Sequence, residues 1–297
     1  YPFKKSEFDF SGDKLKQKWS ELHFDQEPYP STENIKEMFE KNPGYKEIME
    51  DFDGNYEEIA QNIQQAWRYY HRGEFEKAYH LGNKYYPIGA YVAGRARAVH
   101  DFYLVQEQEE KVERFKKHME KVQELLEEDI EILGHKPKNH NVYFGIAYVI
   151  ARQAQMSSII SALKHGSGGK IQKYLDRCLE NEPDHCEAIL TKAACNAEII
   201  NKVGSVIGGL TYDVSEEKAK KYYNRVIDNC PGLINGYVEK AYGLLALDRE
   251  EFREEAIKCL RKARSMQPDD AWERLQQRRA KNMLKDLDAL EQRQAEK

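Results

Sequence analysis

Residues 215–232, SEEKAKKYYNRVIDNCPG, decide the fold. Ala219, Tyr223 and Val226 stand four and three residues apart, which puts them on one face of a helix. Ser215 is an N-cap residue type, and Glu216 and Glu217 follow it where negative charge favours a helix start. Pro231 comes five residues after Val226; it lacks a backbone donor and stops the helix. The spacing of four, three and five recurs through Ala256, Leu260, Ala263 and Pro268 in 253–270, REEAIKCLRKARSMQPDD. It recurs again through Ile171, Leu175, Cys178 and Pro183 in 170–185, KIQKYLDRCLENEPDH. A fresh helical stretch follows each proline, at 186–203, 233–246 and 271–290.

Outward from these segments, everything after Tyr56 reads as helix. Strand alternation is absent, and Ala, Leu, Glu, Lys and Gln dominate, all good helix formers. Residues 1–55 form an irregular, partly helical N-terminal extension. Short helices are expected at 14–22 and 32–41, split by Pro28 and Pro30, with a turn at Asn42-Pro43-Gly44. Val112, Phe115, Met119, Val122, Leu126 and Leu133 make a heptad-like stripe. It reads as half of a helical hairpin with 90–105, or as a short two-chain coiled coil. The repeating part spans 56–290, and 291–297 is a polar tail.

The three proline-closed segments resemble the second helix of the tetratricopeptide repeat (TPR). That family sets a small residue where its two helices cross, and Ala219 and Ala256 fit while Ile171 departs from it. Ala66, Tyr69 and Gly73 with Glu74-Phe75-Glu76-Lys77-Ala78 resemble the family's first helix, turn and second helix. Gly73 is then the helix-ending residue with positive φ. The closing-proline slot of that unit holds Ala90, and Pro87 comes early. Pro183 to Pro231 is 48 residues and Pro231 to Pro268 is 37, against a family period of about 34. The surplus lies at 204–212, GSVIGGLTY, read as a loop or as a lengthened helix plus loop. Together with 268–275, PDDAWERL, this insertion resembles uncharacterised bacterial TPR proteins. It is similar, too, to the accessory lipoproteins of tripartite periplasmic transporters and to eukaryotic regulators of microtubule dynamics. In the last segment Asp269 or Asp270 is expected to cap a helix and Trp272 to be buried.

The resemblance implies an all-α superhelix, a solenoid of antiparallel helix pairs with a C-terminal capping helix. Stacked pairs bury a common seam and leave a concave face lined by first helices, suited to a protein or peptide partner. The register places Ile63, Trp67 and Tyr70 on that face, then Glu187, Leu190, Ala194 and Ala197, then Asn235, Val238, Tyr242 and Leu245. Trp67, Tyr70 and Tyr242 are either aromatic anchors or packing against a terminal helix. Some family members clamp the terminal carboxylates of chaperones with Lys and Asn; such residues do not stand near Ile63 and Trp67. A second function class is a small-ligand accessory of a transport system, with Val206, Ile207, Leu210 and Tyr212 lining a pocket. An enzyme is the third.

Charge and motif content narrow the chemistry. Lys and Arg total 46 against 51 Asp and Glu, a net charge of −5 with no long basic tract, so nucleic acid is a poor partner. No apolar run reaches the ~20 residues that span a bilayer. Lys164-His165-Gly166-Ser167-Gly168-Gly169-Lys170 looks like a phosphate loop, but Ile171 stands where a Walker loop needs Ser or Thr and no strand precedes it. It reads as an inter-helix turn. No HExxH or GxSxG occurs, and His135 and His140 only flank Pro137. Glu127-Glu128-Asp129 reads as a solvated helix face. No cofactor, metal or catalytic residue is expected. Cys178, Cys186, Cys195, Cys230 and Cys259 include no CxxC and read as small apolar residues, with one bridging pair open in an oxidising compartment. The chain starts at Tyr1; a removed signal peptide would place it in a bacterial periplasm, a trimmed start in the cytoplasm.

Overall fold

The computed structural model describes residues 7–49, 52–105, 113, 140–156 and 166–295, the last six by backbone alone. The stripe at 112–133, His135, the acidic run at 127–129, and Lys164 and His165 lie outside the described residues. The described residues form 14 α-helices and no strand, and none of those helices is long and apolar enough to cross a membrane. The chain divides into two compact units, Tyr1–His185 and Cys186–Lys297. The boundary falls inside the stretch that the sequence reads as one repeat domain.

The first unit opens with α1 (Lys14–His23), α2 (Thr32–Lys41) and the single turn α3 (Tyr45–Ile48). Ser31 caps α2, its hydroxyl accepting the Asn34 N–H at 3.2 Å. Next comes α4 (Tyr56–His71). Asn55 caps it by accepting the Glu58 N–H at 3.1 Å, and Glu57 and Glu58 in its first turn and Arg68 in its last complement the helix dipole. Gly73 ends the helix at φ +81°. There the Gly73 N–H donates to Tyr70 and the Glu74 N–H to Tyr69, a Schellman cap that a side chain at Gly73 would strain. The remaining helices are α5 (Phe75–Lys84), α6 (Ala90–Val99) continuing as a π-turn (His100–Leu104), α7 (His140–Met156) and α8 (Ser167–Asn181). Gly168 and Gly169 belong to the first turn of α8 rather than to a loop. Packing runs α4 on α5, α5 on α6, α4 on α6, α6 on α7 and α7 on α8.

The second unit holds α9 (Cys186–Val203), α10 (Ser205–Tyr212), α11 (Glu216–Asn229), α12 (Ile234–Leu247), α13 (Arg253–Ser265) and α14 (Ala271–Ala295). Ser215 caps α11 by accepting the Lys218 N–H at 3.1 Å, and Asp270 caps α14 by accepting that of Glu273 at 2.8 Å. α9 packs on α11 and α12, α12 on α13 and α14, and α13 on α14. The repeated apolar stripes make the core: Ala219, Tyr223, Val226, Ala256, Leu260 and Ala263 are fully buried. Each large member contributes roughly 1.5–3 kcal/mol. In the first unit Ile171, Leu175 and Cys178 are buried in the same way.

The corners at Pro183 and Pro231 are alike. Before each proline, at Glu182 and Cys230, the residue takes φ −135° and −130°. Its N–H donates back four residues and its carbonyl accepts three residues ahead, at 2.9 and 3.2 Å for Glu182 and 2.8 and 3.0 Å for Cys230. Asn42 ahead of Pro43 repeats both bonds, at 3.0 and 3.0 Å. Pro268 is different. The helix before it ends at Met266, with φ −74° and ψ 150°, and Gln267 intervenes.

Candidate functional site

In the first unit the residues expected on the concave face are covered. Ile63, Trp67 and Tyr70 are all buried. Residues from the N-terminal extension lie on Trp67: Trp19 at 5.7 Å and His23 at 4.7 Å between ring centroids, both edge-on. From its own side come His71, Tyr70 and, on α6, Tyr91. The Tyr70 hydroxyl accepts Arg95 Nε at 3.3 Å and the Tyr91 hydroxyl accepts Nη1 at 2.9 Å. Behind α1, Phe24 and Asp25 take consecutive left-handed conformations, φ 52° and 58°, which non-glycine residues hold only when neighbours fix them. Those neighbours are visible. Trp19 Nε1 donates to the Glu27 carbonyl at 2.6 Å, Gln26 donates to the Asp184 carbonyl at 2.8 Å, and His140 Nε2 meets the Gln26 carbonyl at 2.6 Å. Asn141 donates to the Glu27 carboxylate. His185, 3.1 Å from Asn141 Oδ1, has its pKa driven down to about 3 by burial and by the charges of His140 and Arg95. It is a neutral structural imidazole.

In the second unit the expected residues separate along their helices. Glu187 is half-buried and Leu190 is buried, both near the start of α9. Asn235 is buried in the first turn of α12. Tyr242, by contrast, is 37% exposed, and what gathers around it went unread in the sequence. Arg279 of α14 lies over its ring, 5.2 Å from the centroid. Glu239 holds that guanidinium at 2.6 Å. Glu198 of α9 bonds the Tyr242 hydroxyl. Burial, then the Glu198 charge and this bond, push the Tyr242 phenol up to about 12. Below it, burial and then Glu239 drive the Tyr223 phenol well above 10. Gly243 leaves room for it, since a β-carbon there would stand 2.1 Å from the Tyr223 hydroxyl. Glu239 and Lys240 are the only charged residues of α12, a signal that sequence reading could have used.

The 204–212 insertion is a helix, α10, not a loop. Gly204, at φ +82°, breaks the chain away from α9. Gly208 then sets α10 against Ile199, Ile200 and Val214, where a β-carbon would meet Val214 at 3.0 Å. With glycine facing inward, the apolar side chains face out: Val206 is 73% exposed, Ile207 57% and Leu210 86%. Tyr212 is half-buried. Three of the four residues read as pocket lining thus form a solvent-facing ridge. The ridge and Tyr242 share one end of α9, because Glu198 stands five residues before Val203 and α10 starts at Ser205. Glu187 lies 11 residues from Glu198, about 16 Å along the helix axis.

Cys186, at the start of α9, is disulfide-bonded to Cys230, at the end of α11. The reading of all five cysteines as small apolar residues therefore holds for buried Cys178 and Cys259 and not for this pair. Their adjacency comes from the packing of α9 on α11, which no local spacing reveals. Among the described residues, no three of His, Cys, Asp and Glu are grouped to hold a metal ion. A scan of protein-family models and a search of curated proteins found no match to the chain.

Proposed function

We propose that the chain is a TPR-like, non-catalytic protein-binding scaffold whose working surface is the α10 end of its second unit. The carrying observation is the outward ridge of Val206, Ile207 and Leu210 on a folded helix without a single charge. Apolar side chains so displayed mark interaction sites. Toward the same end of α9, Tyr242 offers an aromatic anchor with Glu198 on its hydroxyl and the Glu239-bound Arg279 over its ring, the kind of residue that concentrates binding energy. The repeat reading draws support from the matched corners at Pro183 and Pro231 and from α4, α9 and α12 each packing on the next long helix and the next but one. The groove of the first unit is a weaker candidate, since α1 lies on Trp67. The ligand-carrier alternative loses the lining it relied on. The Cys186–Cys230 bond favours the oxidising of the two compartments.

The test is a capture experiment from native extract with wild type, Ile207→Ser/Leu210→Ser and Tyr242→Ala, all checked for unchanged helix content. The proposal expects one set of proteins retained by wild type and depleted by both variants. Equal recovery on all three would refute it.

A further inference from the structure

The seam between α1 and α4 contains a device independent of the surface proposed above. His23 is 8% exposed and His71 2%, and their Nε2 atoms stand 3.3 Å apart. At that separation one imidazole donates and the other accepts, so the pair is complete with one proton between the two nitrogens. Aromatic rings enclose it. Trp19 stacks on His23 at 3.9 Å, Trp67 stacks on His71 at 5.5 Å, and Phe10 lies 5.3 Å from His71. A second proton would turn a hydrogen bond into two facing donors and set a buried cation on His23 between Trp19 and Trp67.

The charges around the pair oppose that proton. Arg95 of α6, on the Tyr70 and Tyr91 hydroxyls, bears on His23. Arg68 of α4 lies in the same seam, donating to the Phe10 and Gly12 carbonyls at 3.0 and 3.2 Å. The Glu27 carboxylate is engaged by Asn141. Burial first, then His71 and Arg95, hold the His23 pKa well below 6.5.

We propose that the His23–His71 pair makes α1 a pH-sensitive cover, seated on Trp67 and Tyr70 at neutral pH and released in acid to bare that face of α4. The sign follows from linkage. Above the ordinary imidazole value of 6.5, docked and undocked His23 are both neutral and docking is at full strength. Below it the undocked imidazole takes up a proton that the docked one refuses, and docking weakens by up to about tenfold per pH unit. The other buried side chains of α1, Leu15 and Trp19, and Phe8 and Phe10 just before it, do not titrate, so they set how far the pH must fall.

The full chain with Trp272→Phe leaves Trp19 and Trp67 as its only tryptophans. Acrylamide quenching and helical circular dichroism are followed together from about pH 7.5 to about pH 4.5. The expected result is a step in tryptophan accessibility below the imidazole range with helix content largely kept. That step should move to lower pH in His23→Gln and in His71→Gln. No step, an unmoved step in the variants, or loss of all helix together with it would overturn the proposal. Should the variants not fold, imidazole NMR of the parent chain decides. Proton uptake at the pair that tracks the step supports the cover; uptake without tryptophan exposure, or a step without uptake, overturns it.

Discussion

At the scale of single residues, burial separates side chains that hold the molecule together from those it displays. Trp67 sits among five rings, so Trp67→Ala should cost ~3–5 kcal/mol in a denaturant titration. Tyr242→Ala, at a partly exposed ring, should move the same midpoint far less. Glu273 gives a pH signature. Burial and the Asp270 carboxylate raise its pKa from 4.5 to about 8, so the folded state holds a proton that the unfolded state gives up. Stability from this group is whole below 4.5 and falls as pH rises toward 8. The slope reaches at most about 1.4 kcal/mol per pH unit. Glu273→Gln should flatten that slope in melts at matched pH values; an unchanged slope would deny the buried proton. The sequence named Tyr242, and Tyr223 as a stripe residue, but not Glu198, Glu239 or Arg279. Its apolar register points to stripes, whereas this cluster is made of polar residues from four helices brought together only by packing.

At the scale of elements, the helix ends were the most legible part. Ser215, Gly73 and the proline corners each act through local backbone chemistry that residue type encodes. Two elements escaped. The Gly-Gly of 204–212 reads as a breaker, yet Gly208 is there for contact with Val214, and the segment folds as a helix. The disulfide joins residues 44 apart, a pairing that depends on how α9 packs on α11. Alkylation in denaturant before and after reduction should show three reactive thiols becoming five. Closing a loop of that length should contribute roughly 2–4 kcal/mol, read as a drop in denaturant midpoint for Cys186→Ser/Cys230→Ser. Five thiols free without reductant would show the bond does not form.

At the scale of the molecule, the all-helical class was plain from the lack of alternation and from three repeated stripes. The division at His185 was not, because the pattern of stripe and proline continues across it unchanged. The covering of Trp67 was legible only as one of two alternatives, packing against a terminal helix, because Trp19 and His23 come from a segment whose own pattern is irregular. That covering fills the first-unit part of the expected groove, and the ridge of α10 is the working surface we propose. The most direct measurement is site-specific photo-crosslinking in native extract from position 210 on the ridge and position 36, an exposed site on α2. The account predicts a discrete adduct from 210, absent from 36, and competed by unlabelled wild type but not by Ile207→Ser/Leu210→Ser. Identical adducts from both positions, or none from 210, would contradict it.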